Sequence, residues 1–136
     1  MLVMRSGHPL LSEPAVTSFV LARYPWILPG RRTPLRAYWE ALFHSGGVKP
    51  PHVGIECGSV LAIRQLLLTG DALTLLSPDQ VAVELRAGIL AVLPPPSPIQ
   101  RTFGITTRIG WRPTTEQLGF LALLRETGVR VGSLPG

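Results

Sequence analysis

Residues 54–77 read GIECGSVLAIRQLLLTGDALTLLS, in which three apolar runs are separated by a turn at Gly58-Ser59 and a stop at Gly70-Asp71. The outer runs have the length of buried strands, and the middle run is long enough for a helix that Ser59 would cap. Two strands joined through such a helix pair as parallel neighbours. This stretch therefore predicts an α/β fold, in which the middle helix is extensively covered because it is apolar almost all round.

A second helix is predicted over residues 33–47, TPLRAYWEALFHSGG. Thr33 is a suitable N-cap, Pro34 suits the first helical position because it has no N–H to leave unpaired, and Gly46-Gly47 ends the helix. The apolar residues recur at helical spacing and predict one buried face, made of Leu35, Tyr38, Trp39, Leu42 and Phe43.

The remaining segments continue the alternation of strands and helices. Strands are predicted at YPWILPG and HVGIE, both buried, and at ALTLLS, ILAVL and FGITTR. Capping-box patterns at residues 77–80 and 114–117 open two further helices, which end at Gly88 and near Gly128. The order of elements predicts a mainly parallel sheet with helices on both faces.

Sheets of this kind bind ligands beyond the carboxyl ends of their strands, where helix N-termini present free backbone N–H groups. Thr33 and Ser59 are predicted to lie at two such places. From the residues alone, both are N-caps that stabilise their helices by about 1 kcal/mol each. Capping and ligand binding are compatible roles.

Composition and charge exclude several classes of protein. No apolar stretch reaches the roughly 18 residues of a membrane helix, and the start, MLVMRSGHPL, lacks the apolar core of a secretory signal. A cytoplasmic protein with no membrane partner is therefore predicted. The lone Cys57 and three histidines without ligand spacing predict no metal site. The net charge of +5 comes from scattered arginines without a DNA-recognition motif, which favours a solvated surface.

Seven segments in order resemble the effector-binding (substrate-binding) domain of LysR-type transcriptional regulators: HPL, YPWILP, TPLR, IECGSV, LLLTGDALTLLS, EL-x-x-G-x-L and FGITTRIGWRPT. The resemblance implies a fold like that of type II periplasmic binding proteins, in which two α/β lobes hold a small-molecule inducer between them. Nothing in the chain matches the family's winged helix-turn-helix or the first half of lobe I. The chain is therefore expected to be truncated, and DNA would be a partner only through a helix-turn-helix domain that the chain lacks.

The same resemblance implies a division of the chain. Residues 15–111 correspond to lobe II, and residues 1–14 and 112–136 correspond to the hinge and the remnant of an incomplete lobe I. The sheet edges left by the missing part predict a homodimer, formed side by side or by exchange of segments near Pro14 and Pro113.

The resemblance also implies an effector site. The family's lobe II lines the cleft with two loops that correspond to Thr33 and Ser59 of this sequence. Gly58 and Cys57 flank Ser59, and Arg32 would add positive charge. The implied effector is therefore a small anion such as an organic acid, and no cofactor is implied.

Three classes of function stay open at this point. The favoured class is a ligand-sensing regulatory domain, and the alternative of the same architecture is a free-standing small-molecule (solute) binding protein. The third is a small enzyme or a fragment with no binding role. Catalysis has little support, because a lone cysteine after a buried strand is usually an inert apolar residue, and no nucleophile elbow or carboxylate pair occurs. No catalytic residue is predicted.

Overall fold

The computed structural model describes residues 1–98 and 104–132, with side chains described through residue 128. The chain divides into two compact units, Met1–Gln100 and Arg101–Gly136. The sequence instead predicts a boundary after residue 111 and groups residues 1–14 with the second part. The assignment of these segments to the family's lobes stays a prediction.

The first unit alternates short strands and short helices, as the apolar pattern predicts. Its elements are β1 (Leu2–Arg5), a 3-10 turn (Pro9–Ser12), α1 (Ser18–Leu21), β2 (Trp26–Leu28), α2 (Pro34–Ser45), β3 (Val53–Glu56), α3 (Val60–Leu67), β4 (Thr74–Leu75), a 3-10 turn (Pro78–Val81), α4 (Ala82–Arg86) and β5 (Leu90–Leu93). The second unit contains α5 (Thr115–Gly132).

The strands of the first unit form a three-stranded sheet in the order β4-β1-β5 and a two-stranded sheet of β2 and β3, and a single bridge joins the two. β1 lies between β4 and β5 and is antiparallel to both, whereas β2 and β3 are parallel. Leu73, just before β4, joins β2 through Ile27 N–H to Leu73 O and Leu73 N–H to Pro25 O, both 2.9 Å. The order of the described strands is therefore β3-β2-β4-β1-β5, and only β1 is reversed. The α/β class is confirmed, but the pairing is not mainly parallel, because β1 separates β4 from β5.

β1 is buried over its first three residues and contributes to a core on each face. Leu2, Val3 and Met4 are all 0% exposed. Leu2 and Met4 belong to the core beneath α1 and α2, and Val3 belongs to the core beneath α3. The first core contains Leu2, Met4, Leu10, Leu21, Trp26, Leu28, Trp39, Leu42, Phe43, Leu73 and Leu75. The second contains Val3, Ile27, Ile63, Leu67, Val81 and Leu90.

An aromatic cluster fastens α2 to β2. Trp26 of β2 packs edge-on against Trp39 and Phe43 of α2, with ring centroids 5.7 and 5.9 Å away. Trp39 and Phe43 are 5.0 Å apart. Truncating a buried aromatic residue to alanine costs about 3–5 kcal/mol, so this cluster is a strong contact between α2 and β2.

The predicted helix starts at Thr33 and Ser59 are confirmed, whereas the helix predicted after Ser77 is a 3-10 turn followed by α4, which begins at Ala82. Thr33 and Ser59 are the N-caps of α2 and α3, and the capping box of Ser77 with Gln80 is present. Gly47 and Gly88 have φ values of +69°, the left-handed conformation that commonly ends a helix. These features depend only on neighbours in sequence, which is why the sequence predicts them.

Two predictions of burial are wrong within the first unit. β3 was expected to be buried, yet Gly54, Ile55 and Glu56 are exposed, since β3 is an edge strand. On α3, which was expected to be extensively covered, Leu61 is 68% exposed and Leu68 is 41% exposed. An outer apolar stripe of α3 is therefore open to solvent in this unit.

The second unit contains a well-capped helix but lacks a predicted strand. Thr114 N–H donates to Gln117 Oε1 at 3.0 Å, and Gln117 N–H donates to Thr114 Oγ1 at 3.4 Å, which is the predicted capping box. Residues 104–108 of FGITTR form no strand, and residue 103 lies outside the described residues. A strand requires a neighbour for its backbone groups, and no other strand of this unit is described.

None of the helices in the described parts of the chain combines the length and the apolar character needed to cross a lipid bilayer.

His8 connects the segment after β1 to the turn before β4. Its Nδ1 accepts from Leu10 N–H at 3.0 Å, which assigns the proton to Nε2, 3.1 Å from Asp71 O. Burial lowers the pKa of His8, and this outweighs the hydrogen bond and charge of Asp71, which raise it; Arg5 adds to the lowering. The folded protein therefore favours the neutral imidazole.

Folding stability should decrease as the pH falls below about 6.5, the ordinary pKa of histidine. The unfolded chain takes up a proton there that the folded chain resists, so the contribution of His8 is complete only above that pH. His8→Asn retains an acceptor for Leu10 N–H but cannot titrate. It should lose less stability than the wild type between about pH 7.5 and 5.5, measured by urea unfolding.

The Met1 ammonium, whose pKa is lowered by burial, contributes equally in both proteins and therefore cancels in the comparison. Equal pH dependence in His8→Asn and wild type would contradict the role of His8.

Candidate functional site

Two helices begin side by side at one edge of the sheet. Because β2 and β3 are parallel neighbours, α2 and α3 both start beyond carboxyl ends of strands. Cys57 N–H donates to Leu28 O at 2.8 Å, which extends the pairing into the turn before α3. The binding residues predicted from the sequence lie on these two loops. We call them the two-helix edge: Arg32, Thr33, Cys57, Gly58 and Ser59.

The hydroxyl groups of Thr33 and Ser59 cap their own helices. Thr33 Oγ1 accepts from Arg36 N–H at 3.3 Å and donates to Gly30 O at 2.9 Å. Ser59 Oγ accepts from Ala62 N–H at 3.4 Å. The two side chains therefore hold the first turns of α2 and α3 in place, which is the role expected of N-caps.

The two helix starts differ in the backbone donors that they leave free. Val60 and Leu61, the first two residues of α3, carry N–H groups with no protein acceptor within the described residues. In α2 the first residue is Pro34, which has no N–H, so only Leu35 offers an equivalent donor. The start of α3 is therefore the stronger hydrogen-bonding end of the two-helix edge.

The turn between β3 and α3 leaves room for a ligand. A Cβ added at Gly58 would meet no atom within 4 Å, and the same is true at Gly30 in the loop after β2. Cys57 is half-buried, and its thiol donates to Ser59 O at 3.8 Å. Cys57 and Gly58 thus shape the turn, and the space beside Gly58 is open.

The charge near the two-helix edge is mainly positive but partly neutralised. Arg31 and Arg32 are both exposed, and Arg31 Nε lies 3.7 Å from Glu56 Oε1. Arg32 forms no ion pair with any residue in the described part of the chain. Arg32 is therefore the arginine of this loop whose charge is available to a ligand.

Arg36 is a residue of this region that the sequence reasoning missed. It lies in the first turn of α2, and its side chain is only 7% exposed. Its guanidinium lies over the ring of Trp39 at 5.0 Å and forms ion pairs with Glu40 and Glu56. The spacing of Arg36 and Glu40, four residues apart on a helix, was the available signal for the first pair. The Glu56 pair joins two separate elements and has no signal in a single sequence.

The second unit has a groove of a different character. It has a volume of about 440 Å³ and is lined mainly by apolar side chains. These include Ile105, Trp111, Phe120, Leu121 and Leu124. A surface of this kind suits apolar contact rather than recognition of an anion.

The described residues contain no cluster of three or more side chains that would hold a metal ion. The two-helix edge offers backbone N–H donors, hydroxyl groups, the thiol of Cys57 and one available arginine. Backbone N–H groups at a helix start can bind anions.

The chain is similar to known proteins over most of its length. The sequence profile of the LysR substrate binding domain matches residues 1–128. The HTH-type transcriptional regulator PcaQ of Agrobacterium fabrum is 32% identical over 125 residues, which cover 91% of this chain and 40% of PcaQ. The SDS degradation transcriptional activation protein of a Pseudomonas species is 36% identical over 111 residues, 78% of this chain and 35% of that protein.

A third relative is the uncharacterized HTH-type transcriptional regulator YdcI of Escherichia coli K12. It is 35% identical over 109 residues, which cover 79% of this chain and 35% of YdcI. The chain thus spans 35% to 40% of the length of these curated relatives. Because the family profile matches most of the chain, the chain belongs to the LysR substrate binding domain family, as the resemblance implied.

Proposed function

We propose that the two-helix edge binds a small organic acid or a similar anion, and that this binding is the effector-sensing step of a LysR-type transcriptional regulator. The observation that carries the proposal is the meeting of two helix N-termini at the ends of neighbouring parallel strands. Each N-terminus bears the positive end of a helix dipole, which attracts negative charge.

The free donors at the start of α3 suggest how an anion would be held. The N–H groups of Val60 and Leu61 would donate to its oxygen atoms, with Ser59 ordering the turn that presents them. Arg32 would add a flexible positive charge from the neighbouring loop. The open space beside Gly58 would admit the rest of the molecule.

The role in transcription is proposed for the whole regulator. Contact with DNA would come from a helix-turn-helix segment, which this chain does not show, and the effector would alter that contact. Since such a protein acts on DNA, we place it in the cytoplasm. The relatives named above are all transcriptional regulators, so a free-standing solute-binding protein is not favoured, and neither is an enzyme.

Replacing Ser59 with alanine should weaken carboxylate binding by about fivefold, because the first turn of α3 would lose its cap and its N–H groups would become less ordered. Calorimetry on wild type and Ser59→Ala with a panel of small organic acids measures the change. Thr17→Ala is the matched control and should leave the affinity unchanged. Thr17 caps α1 in the same way, because its hydroxyl accepts from Val20 N–H at 3.3 Å. Unchanged affinities in Ser59→Ala would reject the assignment of α3 as the binding end.

We also propose that the chain forms a homodimer through the apolar surface of α5. Phe120 is 61% exposed and Leu124 is 41% exposed within the second unit, next to the partly buried Leu121. Water solvates a run of such side chains poorly, and a second copy with the same surface would cover it. The exposed edge strand β3 offers a further, backbone-mediated contact.

Replacing Phe120 with serine should shift the chain from dimer to monomer at micromolar concentration, because the largest exposed side chain of α5 is removed. Light scattering over a dilution series measures the molar mass of each protein. Phe19→Ser is the control and should leave the dimer intact, because Phe19 is 72% exposed but belongs to α1 of the first unit. A wild-type chain that is a monodisperse monomer throughout the series would contradict the proposed dimer.

A further inference from the structure

Arg36 is the most deeply buried cation beside the two-helix edge. Its side chain is 7% exposed, and its buried Nη1 forms an ion pair with Glu56 but no hydrogen bond in the part of the chain that the structure describes. A guanidinium in this position is costly unless other charges compensate it. A buried charge does not help to keep the protein in solution, so Arg36 requires a different explanation.

Two carboxylates and one aromatic ring surround the guanidinium. Its Nε lies 3.3 Å from Glu40 Oε1, one turn further along the same helix, and its Nη1 lies 3.5 Å from Glu56 Oε1. The Trp39 ring lies beneath it, 5.0 Å from centroid to guanidinium carbon. Only the pair with Glu56 joins α2 to a different element.

The Arg36–Glu56 pair connects the two halves of the proposed anion site. Glu56 is the last residue of β3 and directly precedes Cys57, Gly58 and Ser59. Arg36 is tied to the other half, because its backbone N–H is held by the Thr33 hydroxyl at 3.3 Å. The pair therefore spans the gap between the start of α2 and the turn that leads into α3.

Arg36 is not well placed to contact a ligand directly, because its side chain is only 7% exposed and its Nη1 has almost no accessible surface. We infer that Arg36 is a positioning residue: through Glu56 it holds the β3–α3 turn at a set distance from the start of α2. This inference rests on the proposed anion site and adds to it the group that sets the spacing of its two N-termini.

Glu56→Gln tests the inference because simple electrostatics and positioning predict opposite results. Removing a negative charge beside the site should strengthen anion binding if charge alone matters. If the Arg36–Glu56 pair positions the turn, the same substitution should weaken binding of succinate and benzoate, used as probes, by about fivefold. Glu56→Gln also removes the exposed pair with Arg31, which Arg36→Lys leaves in place. Glu40→Gln removes the other carboxylate of Arg36 without touching β3, and it should not weaken binding.

A second readout does not depend on any ligand. Cys57 is the only cysteine of the chain and follows Glu56 directly, so its labelling by an uncharged maleimide reports the order of the turn. Glu56→Gln should raise the labelling rate about fivefold under conditions where the protein stays folded, and Glu40→Gln should not. Arg36→Lys retains the charge but not the planar group, and it should raise the rate in the same direction as Glu56→Gln.

The outcomes separate this inference from the function on which it rests. Faster labelling in both Glu56→Gln and Arg36→Lys, with no binding of either probe by the wild type, would support the positioning role and reject the anion site. Unchanged labelling in both variants would overturn the positioning role, whatever the probes do. Tighter probe binding in Glu56→Gln would also overturn it, since charge alone would then explain the effect.

Discussion

The pairing of β1 with β4 and β5 is the contact on which the first unit depends. β1 is reversed relative to its neighbours and buried on both faces, so its backbone links β5 to the rest of the sheet while its side chains enter both cores. At its start, the Met1 ammonium donates to Leu76 O at 3.0 Å, just beyond β4. Without β1, β5 would have no partner in the described sheet.

The two-helix edge is a consequence of that sheet. β2 is fixed on one side by the bridge to Leu73, before β4, and on the other side by β3. Trp26 then holds α2 against the same strand through Trp39 and Phe43. α2 is therefore held by packing along its buried face, whereas the start of α3 follows an exposed edge strand. Because α2 is held more firmly than the turn before α3, the ion pair between Arg36 and Glu56 would hold that turn in place relative to α2.

The sequence predicts the local features of this structure and misses the distant ones. The caps at Thr33 and Ser59 and the helix stop at Gly88 depend on residues within a few positions, and they are found where expected. The placement of β1 depends on pairing with residues more than seventy positions away, such as Leu75, and no local pattern shows that the strand is central. The FGITTR segment has a strand-like composition, but composition does not supply the neighbour that a strand needs.

The three tryptophans of the chain divide between its two units. Trp26 and Trp39 are each 1% exposed in the first core, whereas Trp111 in the second unit is 37% exposed. Indole emission shifts to longer wavelength as the ring meets water, so intrinsic fluorescence contains two separable signals. Loss of the short-wavelength signal follows the core around β1, and the emission of Trp111 follows the second unit. Intrinsic tryptophan fluorescence therefore reports on each unit separately, and the unfolding of the two units can be recorded without an added dye.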